Sequence, residues 1–80
     1  MSTNHTYIAT FFTHYDAICF SKELAAQGWN TELMPVPRKF SSSCGTCVRF
    51  SGTGDPMQLK RDSIEQIIHM ETSAVLWDNR

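Results

Sequence analysis

At 80 residues, hydrophobic 41% and charged 19%, the chain has the composition of a folded globular protein and not of a disordered one; it has room for one sheet and one layer of helices, and none for a large active-site cavity. Residues 1–80 read as a single domain with its core at about 7–77. Seven Lys and Arg against eight Asp and Glu, a net charge of −1, argue against a protein built around nucleic-acid phosphates.

The N-terminus Met1-Ser2-Thr3-Asn4-His5 lacks the basic and apolar regions of a signal peptide. The longest apolar run, 7–12, is interrupted by Thr10 and falls far short of a membrane span, so no membrane partner is expected. It is apolar on both alternating sets, which predicts a strand central in its sheet. Thr13, with Asp16 three residues on, can cap a helix that Gly28 stops. On that helix Ala17, Ile18, Phe20, Leu24 and Ala25 share one arc, with Cys19, Lys22 and Glu23 opposite.

Residues 31–37 read as a second strand in which Pro35 and Pro37 remove amide donors from the same edge, so the strand belongs at a sheet edge. Ser41 to Gly45 form a turn by composition, and Cys47 to Phe50 resume alternating strand character. After the loop 51–56, Asp62-Ser63-Ile64-Glu65 has the pattern of a capping box, which predicts a second helix presenting Ile64, Ile67 and Ile68. Starting that helix at Asp55-Pro56 would put Lys60 and Arg61 beside the same isoleucines, so the later start is preferred. Residues 74–77 close the chain as a strand.

The expected order β-α-β-β-α-β fits an α+β, ferredoxin-like two-layer sandwich, with antiparallel sheet order 4-1-3-2 and two helices on one face. That topology would gather His14, the Cys44 turn and His69 at one end of the sheet, where the first helix presents its N-terminus. A thiolate on Cys44 would be favoured there by unpaired amides and the helix dipole.

Cys44-Gly45-Thr46-Cys47 is the one concentrated chemical signal. Two cysteines at this spacing can form a redox pair, supply half a zinc site, or carry a persulfide. Cys47 can equally be a strand residue facing the core, since cysteine is commonly buried. A thioredoxin-type site is disfavoured because the residues after Cys47 continue as a strand. A closed zinc site would need two further ligands from Cys19, His5, His14 and His69, with no second Cys-x-x-Cys or His-x-x-x-His to supply them, so no metal and no cofactor are expected. Arg38, Lys39 and Arg49 flank the turn, and Arg38 is the best candidate to hold an anion beside it. His14 is either a base near Cys44 or a member of the first helical turn.

The segment Met34-Pro35-Val36-Pro37-Arg38, followed by Ser42-Ser43-Cys44-Gly45, resembles the selenium/sulfur carrier protein-like family of small bacterial domains. The opening Tyr7-Ile8-Ala9-Thr10-Phe11, then Asp16-Ala17 and Leu24 with Gly28, is similar too. The resemblance implies a carrier, sulfurtransferase-like at most, in which Cys44 holds a persulfide or selenopersulfide; the cytoplasm is the expected compartment because three cysteines occur with no secretory signal. A cysteine desulfurase-like donor would supply the chalcogen and a selenium- or sulfur-accepting protein would receive it. Arg38 and Gly45 would shape the site, His14 is a further candidate, and Cys47 is a candidate resolving thiol. Two other readings stay open: a thiol–disulfide redox protein using Cys44 and Cys47 together, and a non-catalytic interaction module. An odd number of cysteines, three, fits a reducing compartment in all three cases.

Overall fold

The computed structural model describes residues 5–40 and 44–79; the serines at 41–43 of the expected turn and residues 1–4 of the expected leaderless N-terminus lie outside them. Strand β1, His5–Phe11, is the centre of the molecule. Its odd residues Tyr7, Ala9 and Phe11 join the cluster built on the helix residues Ala17, Phe20 and Leu24. Ile8 points the other way, into a second cluster with Cys47 and Ile68. Alternation along an extended strand produces this split, and burial on both sides explains why the run is apolar at every position but Thr10.

Helix α1, His14–Ala26, starts where the Thr13 hydroxyl accepts a hydrogen bond from the Asp16 amide at 3.2 Å and donates one to the Asp16 carboxylate at 2.7 Å. It ends in a Schellman motif: the Gly28 amide donates to the Ala25 carbonyl and the Trp29 amide to the Leu24 carbonyl, at 3.2 and 3.0 Å. That motif needs a residue with positive φ, and Gly28 sits at φ 94°.

Strands β2 (Asn30–Pro35), β3 (Thr46–Gly52), β4 (Ile64–His69) and β5 (Ala74–Asp78) complete one sheet of order β2-β3-β1-β4-β5. Every neighbouring pair is antiparallel. β2 is an edge strand, and the prolines fall as edge prolines should. The Val36 amide donates inward to the Gly45 carbonyl at 3.1 Å, so positions 35 and 37, one residue to either side, face outward where no ladder bond is lost.

The ferredoxin-like expectation is overturned. Among the described residues there is one α-helix and there are five strands, a mostly-β fold, and the predicted second helix is β4, inserted between β1 and the final strand. Isoleucines at 64, 67 and 68 have helical spacing, but a β-bulge reproduces it. Thr10 pairs with Gln66 and Phe11 with Ile64, which leaves Glu65 as an extra residue on β4. Ile64 and Ile67 thereby reach the same helix-side cluster, while Ile68 joins the opposite one. Residues buried on both faces and branched at Cβ suit a covered strand better than an amphipathic helix. The apparent capping box is not one either: Glu65 is 3% exposed and its carbonyl accepts from the Asn79 amide at 2.7 Å. The loop before it holds a single turn of 3-10 helix at Pro56–Leu59, capped by the Asp55 side chain accepting from the Met57 amide at 2.9 Å.

With α1 on one face only, the other face needs a different cover. Ile8, Cys47 and Ile68 are nonetheless fully buried there, under Met34, Val36, Phe40 and Met70. Residues 36–40, after β2, therefore fold back over the sheet as a flap, with a turn closed by the Phe40 amide on the Pro37 carbonyl at 2.9 Å. No helix among the described residues is long and apolar enough to cross a membrane.

The two-sided burial of β4 gives a direct expectation. Ile67→Ala and Ile68→Ala should each cost about 2–5 kcal/mol in urea unfolding, since each leaves a cavity on its own face. A loss below about 1 kcal/mol at Ile68 would contradict burial beneath the flap.

Candidate functional site

Cys44 and Cys47 belong to opposite faces of the sheet. Cys47 takes its face from the alternation of β3, whereas Cys44 stands outside that strand, before Gly45, whose φ of 73° breaks the extended chain. Cys44, half-buried just before β3, packs against the helix-side cluster. Cys47, the second residue of β3, lies opposite Thr10 of β1 and belongs to the flap-covered cluster. All three cysteines of the chain are thiols.

The environments differ accordingly. Cys47 is 0% exposed, its Sγ is 3.8 Å from the Pro35 carbonyl that accepts from it, and its neighbour across the ladder, Thr10, has a buried hydroxyl with no hydrogen-bond partner among the described residues. Burial, with a smaller contribution from the nearby Cys44, pushes the Cys47 thiol up to about 11. Such a group remains protonated and is a poor nucleophile at neutral pH. Cys44 Sγ donates to the Thr46 carbonyl at 3.4 Å. Between the two, Gly45 is exposed at φ 73°, and beyond its chain neighbours an added Cβ would meet nothing within 4 Å, so the glycine is there for its backbone conformation and not for space.

His14 reaches the same corner. Its Nδ1 is 3.0 Å from the Thr46 hydroxyl, which ties the first turn of α1 to the start of β3. Cys44, Gly45, Thr46 and His14 thus form one rim at the end of the sheet where β1 runs into α1. Thr46 had no chemical signature in the sequence and is identified by its contact with His14. Arg38 stands exposed in the turn that leads into the flap. Lys39 on the same turn lies 5.2 Å from the Phe40 ring.

Other candidates are placed elsewhere. Arg49 is an ion-pair partner of Glu32 on the flap-side face of β2 and β3, so it does not flank the cysteine turn as expected. His69 ends β4 opposite Tyr7 and close to His5, at the far end of the sheet from Cys44. Its expected position beside Cys44 depended on the second helix, and fails with it. Cys19 lies on α1 beside Tyr15. Two shallow hollows, of about 320 Å³ between Thr6, Asn30, Glu32, Arg49 and Ser51 and of about 180 Å³ beside Trp29, Gly52 and Gly54, are lined by none of the cysteine-rim residues. No group of three or more His, Cys, Asp and Glu side chains able to hold a metal occurs among the described residues.

A family model described as "Putative Se/S carrier protein-like" matches residues 6–72, from β1 through β4. Comparison with curated proteins and with solved structures gives no match.

The raised Cys47 thiol makes stability depend on alkaline pH. Its folded value of about 11 exceeds the ordinary 9.0, so the unfolded chain releases this proton first as the pH rises. The contribution is fully present below about pH 9 and is lost as the pH climbs through about 11. Tyr7, raised by burial and then by the charge of Asp55, acts in the same direction. Chemical denaturation across this range should therefore show a shallower decline for Cys47→Ala than for the wild type; identical slopes would contradict a buried Cys47.

Proposed function

This chain belongs to the Se/S carrier protein-like family, and from that membership we propose that Cys44 carries a sulfane sulfur or selenium atom as a persulfide or selenopersulfide between partner proteins. The observation that supports Cys44 in this role is its half-buried place on the rim, with the second thiol turned to the opposite face.

Loading is a transfer without net oxidation. The Cys44 thiolate attacks the outer chalcogen of a donor persulfide, the bond between that atom and the donor cysteine breaks, and the donor leaves as a thiolate. Delivery repeats the step in reverse: an acceptor nucleophile attacks the outer atom and Cys44 leaves as the thiolate. A cysteine desulfurase-like enzyme is the natural donor, and a selenium- or sulfur-accepting protein the natural acceptor. Each cycle needs both, so the protein acts as a carrier and not as a stand-alone enzyme. Its thiol chemistry suits a reducing compartment such as the cytoplasm.

The rim supplies what such a step requires. Gly45 gives the turn after Cys44 its positive φ, and the His14–Thr46 contact holds the start of β3 against α1. Arg38, exposed on the same connection, is available to attract an anionic persulfide. Cys47 contributes little to this reading. To act as a resolving thiol it would have to leave the cluster under the flap and turn through the sheet plane to reach disulfide geometry with Cys44.

Incubation with a cysteine desulfurase and cysteine, followed by intact mass and peptide mapping, tests the proposal. The wild type should gain one sulfur atom at Cys44, Cys47→Ser should load as well, and Cys44→Ser should not load. Absence of sulfur at Cys44 would refute the carrier role, and loss of loading in Cys47→Ser would favour a dithiol mechanism.

A further inference from the structure

The end of the sheet remote from Cys44 holds a second group of ligating side chains. His5 opens β1 and His69 closes β4; His69 is the cross-strand partner of Tyr7, two residues along from His5 on the same face. Both rings are half-buried. His69 Nε2 and His5 Nδ1 face each other at 3.4 Å, with ring centroids 5.4 Å apart and planes at 56°. Tyr7 packs edge-on against His69 at 5.5 Å and lies 6.3 Å from His5. The other nitrogen of His69, Nδ1, is 3.3 Å from the Thr72 hydroxyl in the turn that follows β4.

Two features of this arrangement point to a cation. The two nitrogens make a long hydrogen-bonding contact, beyond the about 2.7–3.2 Å usual for N–H···O. Their separation matches the edge of a tetrahedral metal site: with metal–nitrogen bonds of about 2.0–2.1 Å, two ligands stand about 3.3–3.4 Å from each other. The Thr72 hydroxyl can accept from Nδ1–H of His69, which fixes the tautomer that leaves the Nε2 lone pair for a metal, as outer partners of ligating histidines commonly do. Asp55 adds negative charge to this end, near enough to act on Tyr7.

We propose that His5 Nδ1 and His69 Nε2 form a two-histidine site for a borderline divalent transition ion of the zinc or nickel type, with water in the remaining positions. Imidazole pairs select these ions over magnesium and calcium, which prefer oxygen. No third protein ligand joins the pair among the described residues, so the site is open and exchangeable, unlike a closed structural zinc site. A bound ion would bridge β1 to β4. The sequence hides the pair because 64 residues separate the two histidines.

The test is a titration of the full chain with nickel chloride, and in parallel zinc chloride, read by calorimetry and by the imidazole proton resonances. Saturable binding of one ion should shift or broaden the His5 and His69 resonances and leave those of His14 in place. His5→Ala and His69→Gln should each weaken it by more than about tenfold, the lower limit for loss of a mere outer partner. Cys44→Ser should bind nickel as the wild type does, which separates this site from the carrier chemistry. Absence of saturable binding, retention of affinity in His5→Ala, or loss of affinity in Cys44→Ser would overturn the proposal; His5→Ala, at the first residue of β1, serves if His69→Gln fails to fold.

Discussion

Strand β1 is hydrogen-bonded on both edges and packed on both faces, and its register sets the direction of every side chain that matters. Pairing of Tyr7 with Phe50 and Ala9 with Val48 commits those residues of β3 to the helix side. Once they are committed, Cys47 opposite Thr10 has to face the other way. A slip of one residue would exchange the faces, exposing Val48 and Phe50 to the flap side and bringing Cys47 under α1. The inequality of the two cysteines is thus a property of the sheet and not of the Cys-Gly-Thr-Cys segment taken alone.

The same constraint explains the flap. A sheet carrying one helix leaves a face on which Ile8, Cys47 and Ile68 would meet water, at about 25 cal/mol per Å² of apolar surface. Met34, Val36, Phe40 and Met70 cover them. Residues 36–40 thus help close the second core, while Cys44, later in the same β2–β3 connection, packs on the opposite, helix-side face.

The first half of the fold could be read from residue patterns because its signals are local. The Thr13 cap, the Gly28 stop, the central character of β1 and the outward prolines of β2 each depend on backbone chemistry within a few positions. The second half could not, because the bulge at Glu65 converts a strand's alternation into a helix-like spacing of isoleucines and is itself fixed by pairing with Phe11 and Gln66's partner Thr10. At the candidate site, Cys44 and Gly45 stood out through composition and His14 through the placement of α1, while Thr46 emerged only from its contact with His14. The His5–His69 pair, like the burial of Cys47 under Phe40, is a long-range consequence of sheet order.

Differential alkylation of the native chain measures the central claim most directly. Brief reaction with a small electrophile at neutral pH, followed by unfolding, labelling with a second reagent and peptide mapping, reads each cysteine separately. Cys44 should take the first label while Cys47 takes only the second. Equal first labelling of both, or rapid formation of a Cys44–Cys47 disulfide under mild oxidant, would contradict their placement on opposite faces of the sheet.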